Sequence, residues 1–420
     1  MWQVASDYRA HGTPCAYDAT SYKTRGLGVL MAEIVFEPDE LYKAYNTSKG
    51  VAVDDGWCRV RTMSFTSRWS GFLWPTDGDI EENRIFNYLM MEPVEPSAEA
   101  RSDILVITHG LNEGSYAKLF PWAYNLVLQL HMPVLIFPMA FHITRRSGDW
   151  GFSPQGRLAN TRSMIKDNYK TSPFNAQISA RLSQAPERFY LGGLQSYYDV
   201  IDLTDQIRAG AHPGYRPDTR VHFLGYSAGG YLAMNLLLSN PEGRFSESRV
   251  TLLASCASLD GMQPKSIFIM DVEAGNRLMT FLHNRHYMDI IPEGMAEKLI
   301  EIPRHWMTEI FFHGPSLTSR LETVKDQLLI MANPIDRVIR ADAVASNLHP
   351  IPVLHLDLGV HEFPFNMPGP LIVAYDRRQN ETRTMLSRIR KGHRIAPAYR
   401  SEFVKFIHSI STFMDAKQIH

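Results

Sequence analysis

The stretch Leu224-Gly225-Tyr226-Ser227-Ala228-Gly229-Gly230 lies between an apolar run, Val221-His222-Phe223, and a helix-like run from Tyr231 to Leu238. Glycines and serines gather in turns for conformational reasons alone, so one serine in a G-x-S-x-G setting is a weak signal by itself. Its weight comes from order: a strand, a sharp turn, then a helix. In so tight a turn, side chains at positions 225 and 229 would strike the adjacent helix or strand, and Gly230 adds clearance. Such a turn lifts the Ser227 Oγ out at the carboxyl edge of a sheet. It also aims the following backbone N–H groups, at a helix N-terminus, toward the same point.

Working outward, short apolar runs rich in β-branched residues alternate with longer helical patterns. The runs are Ile104 to Thr108, Pro133 to Phe137, Val221 to Leu224, Arg249 to Cys256, Gln327 to Ala332 and Val353 to Leu358. Continuous apolar strands separated by helices predict an α/β fold with a mostly parallel central sheet covered on both faces. Helices are expected over Lys118 to Leu130, Gln195 to Ala209, Ala228 to Ser239, Ala341 to Asn347 and Arg400 to Met414. Trp57 to Phe65 and Arg84 to Met91 read as an antiparallel edge of the same sheet.

A serine is inert at neutral pH unless a base takes its proton, and the base needs a third group to fix its tautomer. Past the run Val353 to Leu358 comes Gly359-Val360-His361-Glu362-Phe363, which makes His361 the candidate base. Past Gln327 to Ala332 comes Asn333-Pro334-Ile335-Asp336-Arg337-Val338, which makes Asp336 the candidate acid. Asp260, just past Arg249 to Cys256, is a second position from which a carboxylate reaches the histidine, and it stays open as the alternative acid. An oxyanion needs two preorganised donors. The residue after the nucleophile, Ala228, supplies one. The loop His109-Gly110-Leu111-Asn112-Glu113-Gly114, after an earlier strand, supplies the other through the Leu111 N–H.

Four motifs in this order, HGLN, GYSAGG, NPIDRV and GVHEF, give the chain from about Trp57 onward a resemblance to the α/β-hydrolase superfamily of serine hydrolases. That resemblance implies an α/β-hydrolase fold, catalysis by Ser227, Asp336 and His361, an oxyanion hole at Leu111 and Ala228, and no cofactor. The expected reaction is hydrolysis of a carboxylic ester. Thioesterase, amidase, peptidase or acyltransferase activity uses the same constellation, and a hydrolase-fold binding protein without turnover is the alternative of another class.

The domain division expected is an N-terminal extension over residues 1–56 and a hydrolase domain over 57–420. Two insertions, about 139–194 and 259–325, interrupt the alternation where open α/β sheets place their ligand crevices, and are the candidates for a helical cap. The second is rich in Met, Phe and Trp, including Met307 and Phe311, which suits either the lining of an apolar acyl pocket or plain packing. His283, His286 and Asp289 lack a completing ligand set, so no metal is expected.

Composition narrows the partners. With 43 Lys+Arg against 44 Asp+Glu, the formal charge of −1 provides no field to draw in nucleic acid or an anionic membrane. The arginine run from Arg377 to Arg394 reads as a solvated loop. Three scattered cysteines fit no zinc or redox motif. No apolar run reaches the ~20 residues that span a bilayer, and no signal peptide is visible, so a cytoplasmic protein acting on a small-molecule ester is expected.

Overall fold

The computed structural model describes residues 34, 38–48, 50–72, 74–94, 101–150, 152–212, 214–357 and 392–415. The strands are β1 (Val53–Asp54), β2 (Cys58–Thr66), β3 (Ile85–Pro93), β4 (Arg101–Thr108), β5 (Val134–Ile136), β6 (Tyr215–Tyr226), β7 (Val250–Leu253), β8 (Leu328–Ala332) and β9 (Val353–His355). Among the described residues they form one sheet in the order β1-β2-β3-β5-β4-β6-β7-β8-β9. The pairings from β5 through β4, β6, β7 and β8 to β9 are parallel. Those joining β1, β2, β3 and β5 are antiparallel, which makes the expected edge. This is the sheet of an α/β-hydrolase fold, with the short β1 added at its margin.

Side-chain alternation explains why the central strands read as unbroken apolar runs. Ile104, Val106, Phe223, Leu252 and Ile330 enter the core on one face. Their neighbours Leu105, Ile107, Leu224, Leu253 and Met331 enter a second core on the other. A strand with period two and a core on each face needs apolar residues at every position.

The helices are α1 (Asp39–Thr47), α2 (Glu81–Arg84), α3 (Phe120–Leu130), α4 (Phe152–Ser163), α5 (Ala176–Gln184), α6 (Glu187–Arg208), α7 (Ala228–Ser239), α8 (Val272–His283), α9 (Glu297–Phe312), α10 (Pro315–Val324), α11 (Ala341–Asn347) and α12 (Gly392–Asp415). On one face α3 carries Trp122, which meets Phe406 of α12 edge-on at 5.2 Å, and Phe120, which meets Tyr42 of α1 at 4.8 Å. On the other face lie α6 and α7. Helix α6 starts eight residues before the expected Gln195. Gly192 and Gly193 resemble a break in sequence, yet Gly192 leaves space that the Phe141 ring approaches.

The two insertions carry α4, α5 and the first turns of α6, and α8, α9 and α10 respectively. Charge joins them: Arg162 on α4 meets Asp271 at 2.8 Å and Glu273 at 2.9 Å. Asp271 also caps α8, accepting from the Ala274 N–H at 3.0 Å. In α9, Pro303 has no N–H to give the carbonyl of Leu299, and the Tyr198 hydroxyl of α6 donates to that carbonyl instead. Of the expected N-terminal extension, α1 and β1 are described and residues 1–33 lie outside the described residues. His361 and the arginine run up to Lys391 also lie outside them. Among the described residues no helix is long and apolar enough to cross a membrane.

Candidate active site

Strand β6 delivers the chain directly into Ser227, and α7 begins at the next residue. Ser227 has φ 50° and ψ −119°, a left-handed setting that non-glycine residues rarely hold and that costs about 1–3 kcal/mol. The surroundings enforce it. Ser227 N–H donates to Leu253 O on β7 at 3.0 Å, and its own carbonyl accepts from the Ser255 hydroxyl at 2.6 Å. Gly229 N–H donates to His109 O at 2.8 Å, while Thr108 Oγ1 donates to Gly229 O at 2.9 Å. A Cβ on Gly225 would strike Gly230, one on Gly229 would strike the backbone of Thr108, and one on Gly230 would strike Ser255. The turn is therefore wedged between β4 and β7.

The loop after β4 is fixed with equal care. A Cβ on Gly110 would lie 2.8 Å from the Tyr226 ring, so the glycine is required by the residue that precedes Ser227. His109 is fully buried, and burial holds its imidazole well below the usual histidine range, hence neutral. Its Nε2 accepts from the Met139 N–H at 2.9 Å, so Nδ1 carries the proton and donates to Gly110 O at 2.9 Å. Both ring nitrogens are used, and His109 orders the loop. Asn112, at φ 67°, donates from Nδ2 to Phe174 O at 2.9 Å and to Phe268 O at 2.6 Å. One side chain thus ties the loop to both insertions. Nothing local in the sequence marks Asn112 for this task, because both partners are distant carbonyls.

Leu111 and Ala228 line one cavity of about 160 Å³. Among the described residues no acceptor takes either backbone N–H. The remaining wall comes from the segment after β5, from α5, from α6, from α7 and from α9. Met307 and Phe311 of α9 are on it, whereas Leu278, Phe281 and Tyr287 of the same insertion are buried in the core. The apolar residues there serve both purposes. The segment after β5 is held from behind by Arg145, which is fully buried with Asp199 of α6 at 2.8 Å and donates to Asn83 Oδ1 at 3.0 Å.

Asp336 lies past the end of β8 and is 8% exposed. Its Oδ1 accepts from Val338 N–H at 2.7 Å and Ile339 N–H at 3.0 Å, which fixes the carboxylate's direction. Asp336 and Ser227 line the same small cleft with Tyr226, Ala254, Ile269, Val338 and Ile339. Asp260 is placed differently: its side chain is 94% exposed, and its Oδ1 faces His283 Nε2 at 3.3 Å. His361 lies outside the described residues. The strand that leads to it, β9, is paired in parallel with β8, and Leu356 N–H donates to Ala332 O at 2.9 Å beside the start of the Asp336 loop. Among the described residues no group of three or more His, Cys, Asp or Glu side chains could hold a metal ion.

Several solved structures resemble parts of this chain. Carboxyl esterase 2 (TmelEST2) from the mycorrhizal fungus Tuber melanosporum is 15% identical with a TM-score of 0.33, over 72% of this chain and 76% of that one. Esterase Est22 is 12% identical with a TM-score of 0.38, over 72% and 71%. An S-formylglutathione hydrolase from Agrobacterium tumefaciens is 11% identical with a TM-score of 0.36, over 73% and 87%. No curated protein matches by sequence. A family model described as "Family of unknown function (DUF6051)" matches residues 61–291, a span that includes Leu111, Ser227 and Ala228 and ends before Asp336. That match covers more than half of the chain, and the chain belongs to this family.

Proposed function

We propose that the protein is a serine hydrolase that cleaves a carboxylic ester through an acyl-enzyme on Ser227. The observation that carries this reading is the backbone of Ser227, held at φ 50° and ψ −119° on a cleft that Asp336 shares. Strain of this kind persists only where surrounding contacts impose it, and here it sets the hydroxyl at the carboxyl edge of the sheet.

In the proposed reaction Ser227 Oγ attacks the ester carbonyl carbon as its proton passes to the imidazole of His361. The carbonyl oxygen gains negative charge between the N–H groups of Leu111 and Ala228, at the N-terminus of α7. The proton then returns to the leaving alkoxide, which departs as an alcohol. A water molecule, deprotonated by the same imidazole, releases the carboxylic acid and restores Ser227. Asp336 accepts from the imidazole and fixes its tautomer, a task suited to a carboxylate already held by two backbone N–H groups. Asp260, exposed and facing His283, is less suited to it.

The test is hydrolysis of p-nitrophenyl esters by the full chain, Ser227→Ala and His361→Ala. Each variant is expected to lose at least about 10⁴-fold in kcat. Unchanged turnover in Ser227→Ala would remove this reading.

A further inference from the structure

Three residues on the wall of the 160 Å³ cavity carry buried polar atoms that have no hydrogen-bond partner: His142 Nε2, Tyr190 Oη and Asn235 Oδ1. They come from separate elements, the segment after β5, α6 and α7, so no single local irregularity accounts for them. An unpaired buried polar group is destabilising unless something completes it, and because each of these atoms has almost no surface open to the cavity, a ligand there completes it through a small rotation of the side chain.

The character of two of these atoms is fixed by what the rest of each side chain does. His142 has its Nδ1 2.8 Å from Ala140 O, which can only accept, so Nδ1 carries the proton and Nε2 is an acceptor. Burial keeps this imidazole neutral, with its pKa pushed down to about 4. Asn235 donates from Nδ2 to Pro303 O at 2.7 Å, which leaves Oδ1, also an acceptor. Tyr190 Oη can donate or accept. Two acceptors and a hydroxyl call for a ligand that brings a donor. A cavity of this size suits roughly six to eight non-hydrogen atoms, since about 150 Å³ takes one benzene ring.

We propose that this cavity is the acyl-binding pocket and that it selects a short acyl group carrying a hydroxyl, whose proton is accepted by His142 or Asn235 and whose oxygen meets Tyr190. This rests on the acyl-enzyme reading, because it places the acyl chain beside Leu111 and Ala228. It replaces a plain apolar acyl group with a hydroxylated one, within walls that are mostly apolar and whose two arginines, Arg181 and Arg188, are engaged by Asp77.

The test compares p-nitrophenyl hydroxyhexanoates, with the hydroxyl moved along the chain, against p-nitrophenyl heptanoate, which has the same number of non-hydrogen atoms. Binding of the matching free acids to Ser227→Ala is measured by calorimetry. At least one hydroxylated ester is expected to exceed heptanoate about tenfold in kcat/KM, with its free acid bound more tightly by a similar factor. Tyr190→Phe, which keeps the ring, and His142→Phe should each lower that ratio about threefold or more. Equal turnover and equal binding across the pair, or a ratio unchanged in both variants, would overturn the proposal. So would a stronger preference for an amide-bearing acyl group of the same size. Selective binding of a hydroxy acid by a protein that hydrolyses no ester would keep the pocket and remove the hydrolase reading.

Discussion

The carboxyl edge of the sheet and the two insertions beside it are held together by different forces. At the edge, Gly225, Gly229 and Gly230 are fixed by steric contact with Gly230, Thr108 and Ser255, and the Ser227 and Gly229 N–H groups are spent on Leu253 of β7 and on His109 just past β4. The insertions are joined by charge and hydrogen bonds instead: Arg162 of the first to Asp271 and Glu273 of the second, and Asn112 to the carbonyls of Phe174 and Phe268, while Arg145 ties the first to Asp199 of α6. A sterically wedged turn admits almost no substitution, whereas polar links can be changed one at a time. Under the proposed function this separates the chemistry from the pocket, so that the substrate can change without disturbing Ser227.

The largest expected effect lies at the edge. Asp336→Asn should lower kcat for a p-nitrophenyl ester roughly 10⁴-fold, by disturbing the imidazole tautomer, while Asp260→Asn stays within about twofold. The reverse pattern would move the acid to Asp260. Next comes the buried pair that backs the pocket. Arg145→Met leaves Asp199 without its counter-charge and should cost about 3–5 kcal/mol in urea unfolding, much of it recovered in the double variant with Asp199→Leu. No recovery would show that Arg145 acts through Asn83 and the Phe86 ring rather than through charge.

A pH effect follows from the two buried imidazoles. Burial depresses His142, the hydrogen bond to Ala140 O opposes this, and Arg146, Arg145 and Arg181 depress it further. A histidine whose folded pKa lies below its unfolded value of about 6.5 stabilises fully above that pH. The contribution is lost as pH falls from there toward about 4. His142→Gln should therefore flatten the slope of unfolding free energy over this window, by up to about 3 kcal/mol in total. An unchanged slope would leave His109 as its source. Smallest is Asn112→Ala, which removes two hydrogen bonds and should cost about 2 kcal/mol, with KM raised more than kcat is lowered.

The central sheet and the serine turn were legible because their causes are local. A strand covered on both faces must be apolar at every position, as Ile104 to Ile107 are, and a turn between β6 and α7 must be small at 225 and 229. Asp336 could be singled out from a loop just past a strand, but its two N–H donors, Val338 and Ile339, belong to the fold of that loop. Helix α6 begins at Glu187, earlier than expected, and runs through Gly192 and Gly193, where a Cβ would meet nothing closer than the Phe141 ring at 3.6 Å. Arg145, His142 and Asn112 carried no signal, since each draws its role from partners far along the chain or from a cavity assembled by tertiary packing.

Whether Ser227 is the nucleophile is decided by covalent labelling. The folded protein is treated with a fluorophosphonate, digested, and read by peptide mass spectrometry. One adduct per chain is predicted, on the peptide that contains Ser227, and absent from Ser227→Ala and from urea-unfolded protein. Labelling at another residue, or none on a chain whose circular dichroism shows it folded, would contradict the account.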